Sequence, residues 1–292
     1  MAAVKQSTDL WGKTILVTGG SMGLGLESAR SCLAYGANVF LCARGNDVLA
    51  EAVDDLTRSA PRERVEACVA DVGVEADVER LLDRLTSHYG KCDGVIHAAG
   101  VLGPIGSIVG IDDADLWWET LRINLFGTFL VTRAAARRMK NSGGGRVVLY
   151  AGGGASTPFP NYTAYACSKV AVVRFAETAA QELAPEIEVN CLAPGFVATR
   201  MHEQTLAAGE RAGKDYLEKT QAALEAGGVS PQVAAEASAF LVSDAARGIT
   251  GKFVAAAYDG YTKWPGHLAE LRDTDIFTLR RILPRERGMD WQ

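Results

Sequence analysis

Tyr165 and Lys169, in the run Tyr-Ala-Cys-Ser-Lys, stand four residues apart in a stretch of helical composition. That spacing places a phenol and an ammonium on one face of a helix. A phenol titrates near pH 10 in water, and a fixed cation beside it favours the phenolate and lowers that value. The pair can therefore carry a proton to or from a substrate oxygen. The same spacing occurs on ordinary helix surfaces, so its meaning rests on what else the chain supplies.

About 140 residues upstream, the apolar run Thr14-Ile15-Leu16-Val17 ends in Thr18-Gly19-Gly20-Ser21-Met22-Gly23-Leu24-Gly25 and opens into a helical pattern from Leu26 to Ala34. Strand, tight glycine loop and helix follow one another. In that context Gly19 can turn the chain, Gly23 lets backbone approach a pyrophosphate, and Gly25 lets the helix pack close to the strand. The helix N-terminus offers its free N–H groups to the phosphates.

Strand and helix patterns alternate along the rest of the chain, with strands expected near 14–18, 37–43, 65–70, 93–98, 146–151, 187–192 and 252–257. Parallel strands joined by helical crossovers make a sheet covered on both faces, an α/β fold. No linker, repeat or low-complexity tract interrupts 1–292, so a single Rossmann-type domain is the reading. About 25 mostly helical, charged residues (200–228) break the rhythm.

The motifs and their order resemble the short-chain dehydrogenase/reductase family, in its compact single-domain branch, over a core of about 10–261. The resemblance implies a doubly wound sheet of about seven strands in the order 3-2-1-4-5-6-7. It implies cofactor contacts at Gly19, Ser21, Gly23, Leu24 and Gly25, at Asp71 and Val72 beside the adenine, and at Ala98, Ala99 and Gly100. Pro194, Gly195, Val197 and Thr199 match the segment over the nicotinamide, and the closing strand and Asp-Gly match Phe253 to Gly260. Tyr165 and Lys169 match the catalytic pair, which also touches the cofactor, and Asn124 matches the helix residue that supports a proton relay to the Lys. Residues 200–228 correspond to the family's helical substrate lid.

Two positions depart from the family pattern. The strand-end Asn-Asn-Ala-Gly reads His97-Ala98-Ala99-Gly100, where His97 is expected to be structural. The catalytic Ser, thirteen residues before the Tyr, is Gly152, inside Gly152-Gly153-Gly154-Ala155-Ser156. Loss of one such hydroxyl donor costs on the order of a hundredfold to a thousandfold in rate. Either Ser156, Thr157, the Tyr150 hydroxyl or N–H groups of the glycine run replace it, or the glycines make room for a bulky substrate. The removal of side chains over the whole patch favours room-making.

Cofactor choice turns on the end of the second strand, Phe40-Leu41-Cys42-Ala43-Arg44-Gly45-Asn46. No acid is present to bind ribose hydroxyls. Arg44 can form paired bonds to a 2′-phosphate, which favours NADP over NAD. The resulting expectation is an NADP-dependent oxidoreductase interconverting a secondary alcohol and a ketone. A net redox-neutral enzyme using bound NAD(P), or a non-catalytic nucleotide-binding protein, stand as alternatives.

With 48% apolar residues the chain can bury a large core, and a formal charge of −5 argues against a nucleic-acid or anionic-membrane partner. No stretch approaches the roughly 18 to 20 apolar residues of a membrane span, and the polar N-terminus lacks a signal core. A cytoplasmic enzyme acting on a small molecule is expected. Six cysteines, at 32, 42, 68, 92, 167 and 191, lack metal-ligand spacing and read as reduced. The extension 262–292 is too apolar for a disordered tail. It should pack on its own lid or on a neighbouring subunit, the latter favoured by the resemblance, which implies a homo-oligomer, dimer or tetramer.

Overall fold

The computed structural model describes residues 8–291. Seven strands, β1 (Thr14–Thr18), β2 (Asn38–Ala43), β3 (Val65–Val69), β4 (Gly94–His97), β5 (Gly145–Tyr150), β6 (Ile187–Ala193) and β7 (Phe253–Ala255), form one sheet of order β3-β2-β1-β4-β5-β6-β7. Every neighbouring pair is parallel. Helices α1 (Gly23–Ala34), α2 (Asn46–Thr57) and α3 (Glu75–Tyr89) connect the first four strands. Helix α4 (Ala114–Leu121) passes through a widened π turn, Arg122–Phe126, into α5 (Gly127–Lys140), and α6 (Thr163–Leu183) links β5 to β6. Then come α7 (Arg200–Ala208), α8 (Lys214–Glu225), α9 (Pro231–Val242) and α10 (Leu268–Asp273).

Successive strand side chains point to opposite faces, and both faces of the sheet are covered, so the strands are rich in apolar residues on either side. On one face Ile15, Val17, Val39 and Leu41 pack with Ala29 and Cys32 of α1 and Phe240 of α9. On the other, Leu16, Phe40, Val95 and Leu149 pack with Leu81 and Leu85 of α3, Val131 and Met139 of α5 and Val173 of α6. A third, smaller cluster joins Tyr162, Tyr165, Leu102 and Phe159 to Met201, Ala208, Ala212 and Tyr216 of the α7–α8 segment. All six cysteines are free thiols, and only Cys167 is exposed. Among the described residues no helix is long and apolar enough to cross a membrane.

Strand boundaries match the sequence expectation within one residue except at β7, which stops at Ala255. There the chain turns sharply, with the Asp259 carboxylate accepting the Ala255 N–H at 2.7 Å. The extension runs along the edge of its own sheet. Trp264 and Leu271 enter the first core, and the Trp264 and Phe277 rings lie 4.3 Å apart. The Phe253 N–H of β7 donates to the Phe277 carbonyl at 2.8 Å. Lys252 Nζ donates to the Ile276 carbonyl at 3.0 Å, and the Leu279 N–H donates to Glu177 of α6 at 2.6 Å. Apolar side chains and an unpaired strand edge together explain why the tail packs along the sheet border.

Candidate active site

The C-terminal ends of β1, β4 and β5 gather the residues singled out from the sequence. Gly19 has a φ of +65°, and a Cβ there would lie 2.8 Å from the Ala99 nitrogen, so the loop after β1 presses directly on the loop after β4. A Cβ on Gly25 would lie 2.1 Å from the Gly19 carbonyl oxygen, which places α1 against the loop. Gly23, with a φ of +53°, faces open space with nothing within 4 Å of a notional Cβ. Met22, which caps α1, offers no side-chain acceptor, so the first-turn N–H groups beside Ser21, Gly23 and Leu24 point into that space uncapped. An open, positively polarised cradle of this kind fits a pyrophosphate.

At the outer end of the groove, Arg44 is exposed immediately past β2. Asp71 follows β3, with its Oδ1 accepting the Gly73 N–H at 2.8 Å, and Val72 is buried against Gly127 at the start of α5. Arg122 stands beside this loop, 3.5 Å from Asp71 Oδ2. Neither Arg122 nor its partner Glu119 carries a motif, so the sequence alone offered no signal for them.

At the inner end, Lys169 is buried, donates from Nζ to the Tyr150 carbonyl at 2.8 Å, and lies 5.8 Å from the centroid of the Tyr165 ring. Burial pushes the Lys169 ammonium down to about 8. Burial pushes the Tyr165 phenol up, which reverses the direction expected from the spacing alone. Desolvation of the phenolate dominates, while Lys169 Nζ is engaged by the Tyr150 carbonyl. Asn124 sits in the π turn, fully buried. Its side chain accepts the Val101 N–H at 2.8 Å and donates to the Val101 carbonyl at 2.9 Å and to Ser168 Oγ at 2.9 Å. These bonds tie the turn to the loop after β4 and to α6, within reach of Gly100, whose notional Cβ would lie 3.4 Å from Lys169 Nζ.

Tyr150 is not available to a substrate. Its hydroxyl is buried between α1 and α9, hydrogen-bonded to Ser28 Oγ at 3.0 Å and Ser238 Oγ at 2.9 Å, because its side chain leaves β5 on the face away from Tyr165. Ser156 and Thr157 are exposed. Gly153 lies against Phe159, and Gly154, with a φ of +82°, has no room for a side chain beside Ala166. The volume a side chain at Gly152 would fill already holds the Tyr165 hydroxyl, 2.3 Å from a notional Cβ. At Gly152 itself the room is taken up by the Tyr165 phenol. His97 is buried with Nδ1 2.8 Å from Thr18 Oγ1, and burial holds it neutral, down to about 3.

The segment after β6 leads into residues that pack against Tyr162 and Tyr165. Gly195 turns at a φ of +83° against Val229 and Ala257, Val197 is buried, and Thr199 caps α7 with His202 in a reciprocal capping box. Pro194 leads into this turn. Tyr216 of α8 meets the Phe159 and Tyr162 rings edge-on, at 4.7 and 5.2 Å, and those two rings stack at 4.3 Å.

Known proteins share this fold. The dehydrogenase/reductase SDR family member 4 of Sus scrofa is 32% identical over 252 residues, covering 86% of this chain and 88% of its own. A variant of actinorhodin polyketide ketoreductase, solved with NADPH, superposes with a TM-score of 0.75 at 28% identity, over 83% of this chain and 95% of its own. NAD+-bound xylitol dehydrogenase gives 0.76 at 28% identity, over 84% and 98%. The family model described as short chain dehydrogenase matches residues 13–209. On the sheet order, the glycine cradle and these matches together, the chain belongs to the short-chain dehydrogenase/reductase family of oxidoreductases.

Proposed function

We propose that this protein is an NADP-dependent reductase of ketones, interconverting a secondary alcohol and a ketone with Tyr165 as the acid. The observation that carries the reading is a buried phenol at the end of β5, with Lys169 on the next turn of α6 and an uncapped α1 N-terminus across the groove. When bound, the nicotinamide supplies or accepts the hydride. The first-turn N–H groups of α1 would hold the pyrophosphate, Asp71 and Val72 the adenine, and Arg44 a 2′-phosphate. Ala98, Ala99, Gly100 and the 194–199 segment would flank the nicotinamide half.

A phenol held above its ordinary titration range stays protonated at neutral pH, so Tyr165 is poised to give a proton to the oxygen of a carbonyl under reduction. Lys169 and the Asn124 turn stand behind it as the route by which the proton is replaced. The glycine run supplies no side-chain hydroxyl of its own, and Tyr165 takes the oxygen-holding task together with the proton transfer. The α7–α8 segment is read as the substrate lid, its Tyr216 closing on Phe159.

Association of two copies is supported by the exposed apolar face of α4, the π turn and α5, where Trp118 and Phe126 are 65% and 45% exposed and Phe126 stacks on Phe129.

The test is a screen of ketones and alcohols followed by nicotinamide absorbance with NADP(H) and NAD(H). Oxidation of NADPH by a ketone is expected. Substrate turnover with no net change in absorbance would replace this reading by a redox-neutral one.

A further inference from the structure

The guanidinium of Arg122 is the centre of a built clamp that no part of the reaction scheme has used. Its Nε and Nη2 grip both oxygens of Glu119 at 2.5 and 2.6 Å, and Nη1 donates to the Gly73 carbonyl at 2.7 Å. The remaining face of Nη2 lies 3.5 Å from Asp71 Oδ2, while Asp71 Oδ1 takes the Gly73 N–H at 2.8 Å. A Cβ on Gly73 would lie 2.2 Å from Arg122 Nη1, so only glycine admits the guanidinium this closely. The fork thus fixes both the backbone of the 71–73 loop and the second oxygen of Asp71. Arg122 begins the π turn that also carries Asn124, so the clamp ties the loop after β3 to a turn anchored by its buried Ile123 and Asn124. A planar, permanently charged fork suits this task where a lysine would not.

We infer that Arg122 is a positioning residue for adenine recognition: it holds the Asp71 carboxylate in the orientation that accepts an amino group of the cofactor's adenine. The inference rests on the reading of Asp71 as the adenine contact. A loose aspartate would have to be ordered on binding, at a cost in affinity; a clamped one is already in place.

The experiment measures binding of 5′-AMP, as an adenine probe, and of NADP to the full chain by titration calorimetry, with melting temperatures as a folding control. Arg122→Gln is expected to weaken both ligands about tenfold by the same factor. Arg122→Lys should recover part of the loss. Asp71→Asn should weaken both as well, and adding Arg122→Gln to it should cost no more than about twofold further. Gly73→Ala displaces the guanidinium from the other side and should reproduce the loss if the Arg122 variants fail to fold. Unchanged AMP affinity in Gly73→Ala or Arg122→Gln, or losses that simply add with Asp71→Asn, would overturn the clamp. Wild-type protein binding neither NADP nor AMP would instead overturn the cofactor reading itself.

Discussion

The Tyr165 hydroxyl occupies the volume of the side chain that Gly152 lacks, with 2.3 Å separating its oxygen from a notional Cβ on the glycine. A serine here could not coexist with the phenol in this position. Gly152→Ser and Gly152→Ala are therefore both expected to displace Tyr165 and reduce kcat by about a hundredfold, the scale set by a misplaced reacting group. Ser156→Ala, an exposed position, should leave kcat within about twofold. Full activity in Gly152→Ser would show that the phenol moves freely and that the close fit is unimportant.

Tyr165→Phe removes the acid and keeps the ring that packs on Phe159. Turnover should fall below detection while NADP affinity stays within about threefold. Lys169→Ala should damage both, because a buried ammonium at the groove floor is lost. A Phe variant retaining most of its rate would refute the assignment of the proton to Tyr165.

Lys169 titrates at about 8 in the folded protein against an ordinary 10.5. The unfolded chain therefore binds more protons between those values, and stability rises with pH across that window. Below pH 8 the full penalty of burying the ammonium is present. Lys169→Met removes that penalty, so its melting temperature relative to wild type should be highest at pH 7 and fall by several degrees on going to pH 10.5. Loss of the bond to the Tyr150 carbonyl shifts the comparison by a similar amount at each pH. A pH-independent difference would mean that Lys169 is solvated in the folded state.

Arg44 is exposed past β2 and free to meet a 2′-phosphate. Arg44→Ala should weaken NADP by roughly ten- to a hundredfold, the value of a charge-assisted bond of about 1.5 to 3 kcal/mol, and leave NAD nearly unchanged. Equal losses for the two dinucleotides, measured by the same titration, would remove Arg44 from cofactor selection.

The parts legible in the sequence are those where one local rule decides. Glycines at 19 and 25 announce a loop pressed on a helix, and the apolar runs of β1 and β4 announce buried parallel strands. What the sequence concealed depends on direction. Tyr150 looked available because it ends β5 near the glycine run, yet strand alternation sends its hydroxyl to Ser28 and Ser238 on the opposite face. The Tyr165–Lys169 spacing implied a lowered phenol titration, but burial is a property of the assembled fold and reversed it. Arg122 was silent because its partners, Gly73 and Asp71, are distant in sequence.

The tail also bears on how the chain is made. The N–H of Phe253 finds its acceptor at Phe277, and Lys252 finds carbonyls only in the same downstream stretch. During synthesis β7 is produced before the segment that shields it, so the outer border of the sheet stays adhesive until residues near 277 have emerged. The covering of this edge is thus completed late in synthesis, by a stretch far downstream of Tyr165 in sequence.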